Sequence, residues 1–182
     1  MHRRALIAGL AASLTTIPKA EAASGFYSGT AWHVPGWRVR HFDPSEVASR
    51  GNDQVWVSKA MMTALDRVRD DIGRPLRILS GSRDPTWNRR IGGARRSRHI
   101  QGDAVDIDLS GFTPHARYVL AWYLIDKGFT SFGSYGDRPN MLHADRRSRA
   151  AIWHHGGGRR PRSLSQALQE WQWRPVSGSP HR

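Results

Sequence analysis

From Ala104 to Leu109 the chain reads Ala-Val-Asp-Ile-Asp-Leu, an alternation that a helix cannot use. Successive side chains on a strand point to opposite faces, so Val105, Ile107 and Leu109 share one face and Ala104, Asp106 and Asp108 the other. A second segment, Met-Leu-His-Ala-Asp at positions 141–145, has the same habit. Leu142 and Ala144 face one way there, and Met141, His143 and Asp145 the other. If both apolar sets enter one core, the opposite surface gathers Asp106, Asp108, His143 and Asp145. His99 lies on the loop just before, and Gly102 lets the backbone fold it back toward that surface. Such a surface is costly when empty, because like charges repel and desolvation penalises each one. A divalent cation removes the cost.

Composition restricts which cation and which donors. The chain has no cysteine, so disulfides and thiolate zinc sites are excluded and any metal must be held by His, Asp or Glu. Two histidines and one carboxylate, with a fourth position left for water, make a catalytic zinc set rather than a structural one. Zinc lowers the pKa of a water molecule toward ~7 and polarises a carbonyl, and a further carboxylate can serve as general base.

The length of 182 residues predicts one domain. Lysine plus arginine is 28 against 15 acidic residues, a balance that favours polyanionic surroundings such as nucleic acid or an anionic wall polymer. Residues 1–22 choose between them. Arg3-Arg4, an apolar run from Ala5 to Leu14 and Ala20-Glu21-Ala22 have the order of a signal peptide with an A-x-A cleavage site. The paired arginines hint at twin-arginine export, and the run is too short to be a stable membrane anchor. The expected mature chain is therefore a periplasmic or secreted monomer starting near Ala23, without a membrane span and without a nucleic-acid partner.

Residues 23–41 lack periodicity and are predicted to form an irregular cover. Ser58 can cap a helix carrying Met61, Met62, Leu65, Val68 and Ile72, which Gly73 ends. Residues 76–79 read as a strand leading into a loop, and residues 86–98 as an ordered loop or one short helix. Thr113-Pro114 opens a second helix over 114–127, and residues 129–135 pair with 141–145 as a hairpin. His154-His155 reads as a surface turn, and residues 156–182 as a basic tail rich in Gly, Pro and Ser. The order predicts an α+β single domain: a small antiparallel sheet with helices packed on one side and the zinc site on the sheet.

The stretch SGSRDPTWNRRIGGARRSRHIQGDAVDI, residues 80–107, resembles the core of the zinc D-alanyl-D-alanine carboxypeptidases and their endopeptidase relatives. The family's S-G-x-R loop is matched by Ser80-Gly81-Ser82-Arg83, and its S-x-H-x-x-G-x-A-x-D block by Ser97 to Asp106. Its later H-x-D and tryptophan are matched by His143, Asp145 and Trp153. The resemblance implies a zinc peptidase domain over residues 42–155, holding one zinc ion per chain through His99, Asp106 and His143. It implies that Arg83 binds a substrate carboxylate or the developing oxyanion, and that Ser97 touches substrate or holds the ligand loop. The substrate implied is a peptidoglycan stem peptide, cut by a D,D-carboxypeptidase or related endopeptidase reaction.

The general base is less direct. Several relatives place an acid three positions before the second histidine, where this chain has Asn140, and an amide cannot take a proton. Asp145 is the expected base, with a role in orienting a ligand histidine as its alternative. Asp137 is the second choice. Asp108 has no assigned role. If no carboxylate is competent, the chain is a zinc-containing wall-binding module without activity. Ser82 stands where relatives often carry tyrosine, which leaves the pocket shape open. Arg95, Arg96 and Arg98, beside a ligand histidine, are expected to face an anionic substrate.

Overall fold

In the computed structural model, which describes residues 25–156, the two alternating segments lie side by side in one sheet. The elements run β1 (Phe26–Thr30), α1 (Pro44–Val47), β2 (Gln54–Ser58), α2 (Lys59–Ile72), β3 (Ile78–Ser80) and α3 (Pro85–Arg90). They continue as β4 (Ala104–Asp108), α4 (Pro114–Asp126), β5 (Ser131–Tyr135), β6 (Met141–Asp145) and β7 (Ala151–His155). The fold is α+β, in a single domain.

The helices start and stop where their side chains supply the missing partners. Ser58 Oγ accepts from Met61 N at 3.3 Å to open α2, and Gly73 closes it in the left-handed conformation at φ 61°. Thr113 caps α4 ahead of Pro114, whose fixed φ suits the first turn. Met61, Leu65 and Val68 of α2 and Leu120 and Leu124 of α4 join one apolar cluster with Val105, Ile107, Phe132, Leu142 and Ala144 of the sheet. The strand faces predicted to be apolar are thus buried under the helices.

The main sheet has the order β3-β4-β6-β5-β7. Every neighbouring pair is antiparallel except β5 with β7, which are parallel. Two features differ from the sequence expectation, and one decides between its alternatives. The 23–41 stretch contains β1, which pairs antiparallel with β2 from Phe26↔Ser58 to Thr30↔Gln54. For residues 86–98, expected as an ordered loop or one short helix, the helix is present: α3 runs from Pro85 to Arg90, capped by Asp84, before a turn-rich rim. His154 and His155 belong to edge strand β7 rather than to a turn, because hydrogen bonds to β5 organise a segment that has no alternation of its own. The expected signal peptide, residues 1–22, and residues 157–182 of the expected tail lie outside the described residues.

The register lines up one transverse row across the sheet: Ser80, Asp106, His143, Gly133 and Trp153 are successive partners on five strands. A register shift in β3 between Ile78 and Ser80 brings Ser80 beside Asp106 and aims the following loop at the row. Gly133 is needed in that row. A Cβ there would sit 2.5 Å from the Trp153 ring, which lies over β5 with its centroid 5.1 Å from that of His143.

Candidate metal centre

Each histidine of the row's surroundings has one ring nitrogen already committed. His99 comes back from its loop because Gly102 adopts φ 72° against the Trp56 backbone, too close for any side chain. Its Nδ1 lies 2.8 Å from the Gly81 carbonyl, which can only accept, so Nδ1 carries the proton. On His143, Nε2 lies 3.1 Å from the Asp145 carboxylate and donates to it. That leaves His99 Nε2 and His143 Nδ1 facing each other at 3.1 Å. Asp106 Oδ1 is 3.0 Å from the second nitrogen and 3.3 Å from the first.

All three side chains are buried, and three such acceptors cannot face one another without a cation or proton among them. A tetrahedral zinc with bonds of about 2.0–2.1 Å puts neighbouring donor atoms about 3.3 Å apart. The observed separations of 3.0–3.3 Å match that edge, so the donor set fits the metal in identity and spacing.

The surrounding groups fix these three side chains. Arg83 Nη2 donates to Asp106 Oδ2 at 3.1 Å and to Ser80 Oγ at 3.0 Å, while its Nε is buried without a partner among the described residues. The loop bearing it is tied from behind, since Ser82 N donates to Val47 O and Ser82 Oγ accepts from Trp56 N at 2.7 Å. Ser82 therefore serves the loop and lines a smaller cavity of about 260 Å³ shared with Trp56 and His99. Ser97 does two things at once: its Oγ accepts from His99 N at 3.3 Å, and it lines the main cavity.

Asp145 is fully buried. Its carboxylate receives His143 Nε2 and is clasped by Arg147 through Nε at 2.8 Å, through Nη2, and through the backbone N–H at 3.1 Å. It does not line the main cavity, a space of about 560 Å³ walled in part by His99, Asp106 and His143, whereas Asp137 does. Asn140 Oδ1 accepts from Arg117 Nη2 at 2.6 Å, and the residue does not line the cavity. Asp108, on the same strand face as Asp106, turns its carboxylate to the Ser110 N–H at 2.8 Å and to Arg77, so it ends the strand rather than joining the site. Sequence reasoning missed Tyr135, Arg147 and His155 as cavity walls. Only Tyr135 had a legible signal, since it lies two positions from Gly133 on the same strand face.

The acid–base balance of this cluster sets a pH window for the metal-free protein. Burial pushes the Asp145 carboxyl up, but hydrogen bonds from Arg147 and His143 outweigh it and hold the group well below the usual carboxylate range. Its stabilising contribution is present above the unfolded pKa of about 3.9 and is lost as pH falls through the lower folded value. His143 runs the other way. Burial disfavours its charged form, yet hydrogen bonds to Asp106 and Asp145 raise its pKa overall. That contribution is complete below the unfolded value of about 6.5 and is lost as pH rises through the folded one. Chelator-treated protein is therefore expected to melt highest between about pH 4 and pH 6.5. A melting temperature that climbs steadily from pH 5 to pH 8 would contradict this balance.

A small mixed sheet presenting a buried His-Asp-His set to an open cavity defines a metal-dependent hydrolase class of site. A family model described as Peptidase M15 matches residues 40–145, over half of the chain, and the protein belongs to that family. It is thus a metallopeptidase by family, and the matched span includes Arg83, His99, Asp106, His143 and Asp145. Comparison with curated proteins finds no match.

Proposed function

We propose that the protein is an exported zinc peptidase that hydrolyses peptide bonds in peptidoglycan stem peptides, as a D,D-carboxypeptidase or a related endopeptidase. The observation that carries this reading is the pair of ring nitrogens 3.1 Å apart, closed by Asp106, at the back of a 560 Å³ cavity. His99 Nε2, His143 Nδ1 and Asp106 would hold the ion. Zinc bound there supplies Lewis acidity, lowering the pKa of a water molecule toward ~7 and polarising the scissile carbonyl.

The chain's own groups supply the remainder. Arg83 is braced by Asp106 and Ser80 and lines the cavity, so its other guanidinium face is presented to the substrate's carbonyl or carboxylate oxygen. Asp145 acts as a positioning residue, keeping the His143 ring oriented and its Nε2 protonated. Asp137, on the turn between β5 and β6, is the carboxylate at the cavity that is not in the ligand set. It takes the proton released by the attacking water and passes it to the leaving amine. Trp153 shields one flank of His143 from water.

Arg83→Ala is expected to bind zinc up to about 10–100-fold more weakly, since it loses the brace on Asp106. At saturating zinc it is expected to lose about 10²–10³-fold in kcat/KM, the usual consequence of removing one oxyanion donor. Near-normal kcat/KM in that variant would refute its role. The function itself is tested by incubating the purified protein with defined muropeptides, with and without chelator, and identifying products by mass spectrometry. Metal-dependent release of D-alanine or of a shorter stem supports the reading. Stoichiometric zinc with no product from any muropeptide would favour the second reading, a wall-binding module that has kept the metal. The commitment of Asn140 and Asp145 to arginines gives that alternative its physical basis.

A further inference from the structure

Five arginines line the main cavity: Arg83, Arg96, Arg98, Arg138 and Arg147. Three of them are answered locally. Arg83 pairs with Asp106, Arg147 with Asp145, and Arg138 with Asp137 at 3.6 Å. The other two stand on the rim segment that leads into His99. Arg98 donates to the Gln101 side chain at 2.8 Å, and Arg96 makes no hydrogen bond or ion pair among the described residues. Neither forms an ion pair with a described carboxylate, but the Arg98 charge acts on the nearby Asp103 carboxyl, which leaves Arg96 as the cavity arginine that no described carboxylate answers.

The rim that carries them is built rather than loose. Asn88, almost fully buried at 1% exposure, donates through Nδ2 to the carbonyls of Gly93 at 3.2 Å and Ala94 at 3.0 Å. Gly93 N returns to Asn88 O at 2.8 Å, and Ser97 N bonds Ala94 O at 3.0 Å. These bonds fix the backbone just before Arg96, so the rim itself needs little ordering when a ligand binds. Immediately beside it, Arg95 is exposed as Arg96 is, but does not line the cavity. Two neighbouring arginines with the same charge are thus sorted by geometry alone.

We infer that Arg96, with Arg98, recognises a second carboxylate on an acidic peptide substrate, separate from the group handled by Arg83 at the scissile end. The inference rests on the peptidase reading for the identity of the peptide, but its chemistry is independent of catalysis. A planar fork fits a carboxylate with two parallel hydrogen bonds, and an amide in the same place cannot answer the charge. The preferred substrate is then a stem peptide whose internal carboxylates are free rather than amidated.

The test is equilibrium binding by calorimetry of two short stem peptides, identical except that one has its internal carboxylates amidated. Wild type, Arg96→Gln and Arg95→Gln are compared as zinc-loaded protein. Amidation is expected to weaken binding about five-fold in wild type and in Arg95→Gln, the upper end for an exposed ion pair. It should make little difference in Arg96→Gln. An amidation effect that is absent from wild type, or that survives in Arg96→Gln, would overturn the assignment. Equal losses in Arg95→Gln and Arg96→Gln would overturn it too, because they would reduce the rim to a diffuse positive field. Hydrolysis is followed in parallel. Selective binding without cleavage would support the carboxylate site while rejecting the peptidase reading.

Discussion

His143→Ala is expected to abolish hydrolysis of muropeptides and to lower zinc affinity by more than about 100-fold. Losing a partner that merely orients a ligand already costs about 10–100-fold, and His143 is proposed as a ligand itself. The substitution removes the nitrogen that lies 3.1 Å from His99 Nε2 and 3.0 Å from Asp106 Oδ1, which opens one edge of the donor set. It also takes away the ring against which Trp153 is packed. The fold is expected to persist, because Leu142 and Ala144 on the opposite face of β6 keep their places in the core. Zinc content after dialysis, circular dichroism and product release measured together decide the matter. A folded variant that still holds one zinc per chain would remove His143 from the ligand set.

Asp145→Ala is the second large effect, and it falls on stability as well as on metal. The side chain is wholly buried and answers both the Arg147 guanidinium and His143 Nε2. Removing one partner of a buried ion pair typically costs about 3–5 kcal/mol, because the remaining charge is left uncompensated. Arg147 can recover part of that by turning to solvent, since its side chain is 28% exposed. Zinc affinity should fall by about 10–100-fold as the His143 ring loses its orientation. Denaturant melts and a competitive zinc titration separate this from a role as base. A base would leave affinity and stability almost intact and depress only kcat, and that outcome would return the proton to Asp145 and displace Asp137.

The contrast between Asp145 and Asp137 shows where sequence reasoning stops. Alternation correctly placed Asp145 on the same face as His143, but a face is shared by groups that meet the cavity and groups that lie beneath it. Depth was decided by Arg147, whose clasp on the carboxylate comes from the chain just beyond β6. Asp108 makes the same point from the other end of β4. Its position repeats that of Asp106, yet it is the last residue of the strand and the Ser110 N–H is the nearer partner. The strand β7 was invisible for a further reason. An edge strand is defined by the neighbour it bonds to, and Ala151–His155 carries no period-two pattern for a reader to find.

What the sequence determined alone is local and periodic: the capped helices at Ser58 and Thr113, the two alternating strands, the apolar faces and the histidines and aspartate that share the other side. Those features follow from side-chain direction and turn chemistry, which act over a few residues. The tertiary structure decided which nitrogen of each histidine faces its neighbour, which carboxylate is buried and which meets the cavity, and which of two adjacent arginines lines it. Gly81 for His99 and Asp106 for His143 act from far along the chain, whereas Asp145 and Arg147 act from two residues away, and all do so through distances of about 3 Å that only the folded sheet sets.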